Sequence, residues 1–355
     1  MSFPIIKPSM MALVFSTLLV GCSNNSPSPS DRPSTQVNQF EVTQYLSQAV
    51  YQLQHQHAER FYSNSAKLHQ AFQTQCLSSS DESSLNALQN QWHETMLAWM
   101  PFQGQNNGPN EIHDLAWKVQ FWPDKKNTTG RQIKAQLSSN PHISSKELAN
   151  LSATLQGLSA IEWLLYDDAA QESNLENRCA LGITISQRLL QTSITVRDAW
   201  SINPWKDLEK KQWNVEYISM LNDQLDYMQK KLSRPLAKIG KPRPYFTESW
   251  RSQTSYANLF ANWQGINALV HAPNGLIDIL QDVDPVLAES ISSTIKSTVN
   301  NWPIDASLFA DLGSAQGYQR ALAQYNKIEY VHYLIATEAA MKLGIVVGFN
   351  STDGD

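Results

Sequence analysis

Apolar residues recur three and four positions apart through most of this chain, and that spacing constrains its fold more than any other feature. It draws one buried stripe along a helix, whereas on a strand it would scatter over both faces. The longest run is Trp213, Tyr217, Leu221, Leu225, Met228, Leu232 and Leu236. Leu85, Leu88, Trp92, Met96 and Trp99 make another, and Val42, Tyr45, Leu46, Ala49, Val50 and Leu53, prolonged by Phe61, Ala66 and Phe72, a third. Further stripes pass through Tyr256, Leu259, Trp263 and Ile266, through Leu287, Ile291, Ile295 and Val299, and through Tyr318, Leu322, Tyr325, His332, Ile335 and Ala339. Strict alternation is scarce, so the expected class is all-α, built of packed helices.

With 355 residues, 42% hydrophobic content and 11 Trp, the chain can fill one large core or two smaller ones. Breakers fall between the stripes at Pro101 to Pro109, Pro204, Pro242 to Pro244 and Pro273-Asn274-Gly275. Pro204 divides an N-terminal helical half, 40–204, from a C-terminal half, 205–355. The stretch from Gln103 to Gly130 reads as the least regular part, with Phe121-Trp122-Pro123-Asp124 as a turn under aromatic rings.

The N-terminus follows export grammar: Lys7, then an apolar run from Met10 to Val20, then Leu19-Val20-Gly21-Cys22. The run is too short to span a bilayer, which takes about 20 residues. The tetrapeptide resembles the bacterial lipobox, the alternative being a plain secretory signal with an incidental cysteine. The resemblance implies a lipoprotein signal peptide at 1–21, removed before a lipidated Cys22. Residues 22–39 are rich in Ser, Asn and Pro and make a disordered tether. Two or three acyl chains anchor stably where one does not. Ser23 after the cysteine favours the outer membrane, with the body facing the periplasm or exposed at the surface.

A formal net charge of −5 without a basic block excludes a nucleic-acid footprint. With Cys22 committed to lipid, Cys76 and Cys179 are the cysteines left to an exported body, where oxidation is permitted. One disulfide is expected, with two separate buried thiols as the alternative.

The stretch Leu148 to Tyr166 reads as one helix with Leu148, Leu151, Leu155, Leu158 and Leu165 on its apolar face, and Glu162 stands where that face should continue. A carboxylate there must pair, protonate or bind a cation. Ser159 lies one turn before it, close enough to share a site. The two readings are a structural Glu, hydrogen-bonded across the bundle, and a metal or ligand site.

Gly157-Leu158-Ser159-Ala160-Ile161-Glu162 with the apolar run after it resembles the signature of the imelysin family, whose usual form is Gly-x-His-x-x-Glu. Phe121-Trp122-Pro123-Asp124, Glu248-Ser249-Trp250-Arg251, Leu343-Gly344 and Gly348-Phe349-Asn350 with Asp353-Gly354-Asp355 resemble the same family, in the same order. The resemblance implies two helical-bundle-like halves packed together, a periplasmic or outer-membrane place, iron-regulated uptake, and a site near the signature helix between the halves. Ser159 stands where the family has its histidine, and a hydroxyl is a weak ligand for transition metals. That departure counts against the family's peptidase label.

Candidate site residues are therefore Glu162, Ser159, Arg251 and Trp250 for a ligand, and Glu162 with His113 and His332 for a divalent metal or iron. His113 stands in the irregular stretch, either as a replacement ligand or as a solvated residue. His332 stands in the last stripe, either as a ligand or as a core histidine held by a neighbour. Arg251 is expected just inside a helix starting near Thr247, paired with a buried carboxylate such as Glu162 or exposed. His93-Glu94 lacks the second histidine of a zincin helix, since Leu97 replaces it; no nucleophile elbow or phosphate loop appears. The preferred function is a lipid-anchored, non-catalytic binding protein that captures a metal or small ligand in iron uptake. The alternatives are an imelysin-type metallopeptidase, with Glu162 catalytic, and an envelope docking protein that contacts an uptake component.

Overall fold

A computed structural model describes residues 45–78 and 82–345. The expected signal peptide at 1–21, the lipidated Cys22, the tether at 22–39, Val42 and the stretch from Gly348 to Asp355 lie outside the described residues. In chain order, α1 (Gln48–Ser78) and α2 (Glu82–Trp99) precede α3 (Asn110–Val119), α4 (Thr128–Ser139), α5 (Ser145–Leu148), α6 (Gly157–Tyr166), α7 (Asp168–Gln171) and α8 (Leu175–Ala199). Beyond the loop that holds Pro204 come α9 (Lys210–Leu236), α10 (Ser255–Val270), α11 (Leu276–Gln281), α12 (Pro285–Asn300), α13 (Leu308–Asp311), α14 (Ala315–Tyr333) and α15 (Ala340–Lys342). A π-helical turn, Leu334–Ala339, joins the last two. The described residues contain no β-strand, only an isolated bridge between Lys238 and Lys241, and no helix long and apolar enough to cross a membrane. The fold is all-α.

α1 packs along α8 and α2, α6 lies against α8, α2 and α4, and α9 pairs with α14. Helices from both sides of Pro204 contribute to one hydrophobic cluster. The α9 stripe is buried from Trp213 to Leu236 at every expected position. On α1 the buried face runs Val50, Gln54, Ala58, Phe61, Ser65, Leu68 and Phe72, so Val50, Phe61 and Phe72 are buried as expected, while Tyr45 and Leu46 are exposed ahead of the helix. Two core positions of that face carry polar side chains, which hides the true stripe in the sequence. Cys76 and Cys179 form the expected disulfide, tying the end of α1 to α8 across 103 residues.

Two local expectations need correction. The stretch from Gln103 to Gly130 holds a regular helix, α3, which buries Ile112 and Val119. The helix expected from Leu148 to Tyr166 is broken: α5 ends at Leu148, a 3-10 turn spans Ala153–Leu155, and α6 starts at Gly157. The cause is Gly157, whose φ is +70°, and a Cβ there would sit 2.2 Å from the carbonyl oxygen of Val119 and 2.3 Å from that of Lys118. Both obstacles are backbone, so the end of α3 would have to move away from α6. Gly157→Ala combines left-handed strain with overpacking and is expected to cost about 3 kcal/mol. A denaturant midpoint equal to wild type would contradict this close approach.

Candidate functional site

Glu162 lies in the second turn of α6 and is 5% exposed. Its Oε1 accepts the Ser252 backbone N–H at 3.0 Å and the Ser252 hydroxyl at 2.8 Å. Ser252 belongs to a compact turn, 247–253, in which Ser249 and Gln253 take positive φ values of 50° and 60°. The helix expected to begin near Thr247 begins instead at Ser255, with Thr254 as N-cap. The tight turn explains this: it folds the backbone back so that an N–H aims at the carboxylate.

Burial pushes the Glu162 carboxyl above its ordinary 4.5; the Ser252 N–H, the Arg251 charge and the Ser252 hydroxyl oppose this, and the Glu248 charge adds to it. The folded state therefore keeps a proton at pH values where the unfolded chain has lost it. The stabilising contribution is complete below 4.5 and is lost as pH rises through the folded value. Glu162→Gln, which keeps an acceptor for Ser252, should gain stability relative to wild type as pH goes from about 4 to about 8. Denaturant midpoints for the two proteins that run parallel across that range would contradict it.

Ser159, Glu162, Trp250 and Arg251 line one cavity of about 290 Å³, walled by residues 120–129, by α6 and by residues 245–251. The Ser159 hydroxyl donates to the Phe121 carbonyl at 3.2 Å. Arg251 departs from expectation: its Nε pairs with Asp167 at 2.6 Å and its Nη2 donates to Asn127 at 2.9 Å. Asp167 immediately follows α6, and this nearer, less buried carboxylate takes the guanidinium, which reaches Glu162 only through its field. The guanidinium lies 4.2 Å over the Trp250 ring, and Trp250 stacks on Phe309 and meets the edge of Tyr245. Lys125 and Lys126 stand exposed on the cavity rim.

The two histidines lie elsewhere. His113 is exposed on α3, within a helix and not a loop, and His332 on α14 bonds Asn222 through Nε2 at 2.7 Å. Neither lines the Glu162 cavity. Among the described residues no group of three or more His, Cys, Asp or Glu side chains is arranged to hold a metal ion.

The donor chemistry of the cavity agrees. Glu162 Oε1 already takes two hydrogen bonds, and both oxygens of Asp124 take the N–H groups of Thr128 and Thr129. Glu248, the third carboxylate in the wall, is equally engaged. The residues present do not fit a bare transition-metal ion, which takes imidazole, thiolate or free carboxylate ligands.

Glu248 and Lys231 form the part of the site that sequence reasoning missed. Both side chains are 1% exposed and their charges meet at 2.5 Å. Glu248 Oε1 accepts from Gln103 at 2.7 Å and Gln120 at 2.8 Å, and Oε2 accepts from Asn258 at 3.3 Å. Lys231 Nζ donates to Gln103 at 2.8 Å and Asn262 at 2.7 Å. Burial pulls the Lys231 ammonium below the usual lysine value, with Glu248 opposing. Glu248 belongs to the Glu248-Ser249-Trp250-Arg251 segment that resembles the family, and the signal for Lys231 was positional, since it directly precedes Leu232 of the buried α9 stripe.

The imelysin (peptidase M75) family model matches residues 54–335. The crystal structure of an imelysin-like protein from Psychrobacter arcticum matches with a TM-score of 0.72 at 22% identity, covering 86% of this chain and 96% of that one. A structure described as an iron-regulated protein A precursor from Parabacteroides distasonis matches with a TM-score of 0.62 at 13% identity, covering 82% and 95%. No curated protein matches the sequence. At these identities the structural likeness shows the fold alone, while the family model runs from α1 into the π-helical turn and takes in every wall of the Glu162 cavity. On that coverage the chain belongs to the imelysin family.

Proposed function

We propose that this protein is a lipid-anchored, non-catalytic binding protein of the cell envelope that captures a small polar ligand around Glu162 in the course of iron uptake. The observation that carries the reading is a buried carboxylate at a polar cavity whose Ser159 hydroxyl and other two carboxylates are already engaged. Ser159 donates to a carbonyl, Glu248 is paired with Lys231, and Asp124 caps α4. Such a site orients a ligand through fixed polar groups. The Lys125 and Lys126 rim and the Trp250 face suit a small polar molecule or a chelated metal better than a bare ion. The link to iron rests on the family and on the description of the Parabacteroides distasonis structure. The anchor rests on the Leu19-Val20-Gly21-Cys22 pattern. Cys22→Ser should leave the protein in the soluble envelope fraction, and unchanged membrane association would sink the lipid anchor.

The family's peptidase label favours a second reading, in which a metal-bound water attacks a peptide bond. A catalytic zinc needs about three protein ligands and an open position. Protein purified without chelators and then incubated with zinc or iron(II) distinguishes the two. The binding reading expects less than stoichiometric metal and no hydrolysis of a peptide library. Stoichiometric metal that disappears in Glu162→Ala, together with cleavage, would establish the peptidase instead.

A further inference from the structure

A larger cavity, about 800 Å³, opens between α1, α2, α10 and residues 304–307. It shares the end of the turn that holds Glu162, since Gln253 and Thr254 line it while Trp250 and Arg251 line the other cavity. We propose that this second cavity is a binding site for a small organic carboxylate, held by His57, Arg60 and His93.

The argument starts from the two imidazoles. His57 on α1 and His93 on α2 both line the cavity, and the Nδ1 atom of each is sealed from solvent without a hydrogen-bond partner. Nε2 is therefore the ring nitrogen left to meet a ligand, and a carboxylate there selects the tautomer in which each imidazole donates its Nε2 N–H. Burial, aided by the Arg60 charge, pushes His57 down to about 4, and burial also lowers His93 against the opposing Glu94 charge. Both rings are neutral donors at neutral pH.

Arg60 lies one turn after His57 on the same face of α1, exposed. A guanidinium beside two N–H donors is a charge-assisted cradle for a carboxylate. Leu97, Pro101 and Phe260 line the same cavity and give a carbon skeleton apolar surface. The volume falls within the range of about 300–1,000 Å³ usual for small-molecule sites. One carboxylate, Asp305, lines the cavity and is exposed, where it repels a second negative charge.

Calorimetric titration of the purified protein with succinate and citrate, with inorganic phosphate as a comparison anion, tests the assignment. Saturable one-to-one binding of a carboxylate is expected, weaker by about tenfold or more in Arg60→Ala and tighter in Asp305→Asn. Arg60 and Asp305 are both exposed, so neither variant should disturb folding. No heat at millimolar carboxylate would overturn the proposal, as would phosphate binding equally well. Binding kept in Arg60→Ala and lost in Lys125→Ala/Lys126→Ala would place the anion in the Glu162 cavity and overturn it too.

Discussion

Lys231→Met is expected to lower folding stability by about 3–5 kcal/mol, the cost of leaving one member of a buried ion pair alone. The ammonium meets Glu248 at 2.5 Å and also donates to Gln103 and Asn262, so its loss strands a carboxylate and leaves two amide oxygens without that donor. Gln103, Gln120 and Asn258 would still donate to Glu248, but amides carry no countercharge. Glu248→Gln should be similarly damaging, since it leaves an uncompensated ammonium 1% exposed. The double variant Lys231→Met/Glu248→Gln removes both charges and should lose less than the sum of the singles, with a coupling at the upper end of about 0.5–3 kcal/mol. Denaturant unfolding of all four proteins measures that coupling. Additive losses would mean that the two charges do not depend on each other.

Removing the Cys76–Cys179 bond in Cys76→Ser/Cys179→Ser should cost up to about 4.7 kcal/mol, the chain-entropy figure for a loop of about 100 residues. The bond closes 103 residues, including α2 through α7, and its loss frees that length of chain in the unfolded state. α1 and α8 still pack along each other in the folded protein, so most of the effect falls on the unfolded side. The midpoint of wild type should drop to that of the double variant when reductant is added, and the variant should ignore reductant. A wild-type midpoint indifferent to reductant would show that the bond contributes little.

Helices whose buried face is purely apolar were legible in the sequence, and α9 is the plainest case. α1 was legible only in part: Val50, Phe61 and Phe72 are buried as expected, but Gln54 and Ser65 occupy core positions between them, Gln54 donating to the Met220 sulfur at 3.7 Å. The break before α6 was hidden because leucines at 148, 151, 155 and 158 keep helical spacing across it. The approach of the Lys118 and Val119 carbonyls, which leaves no room for a Cβ at Gly157, exists only in the folded chain. Glu162 stood out as a carboxylate in an apolar run, but its partner did not. Ser252 is 90 residues away, and its N–H points at Glu162 only through the folded-back turn. The same turn brings Glu248 to Lys231. Side by side in sequence, Lys230 and Lys231 look alike, yet Lys230 bonds Asp226 one turn away at the surface while Lys231 turns inward.

The most direct test is native mass spectrometry of the protein purified under mild conditions from cells that express it, wild type beside Glu162→Ala. A one-to-one small-molecule adduct on wild type that is missing from Glu162→Ala is the predicted result. Bare protein, a stoichiometric metal ion without an organic adduct, or an adduct that survives Glu162→Ala and disappears in Arg60→Ala would contradict capture at Glu162.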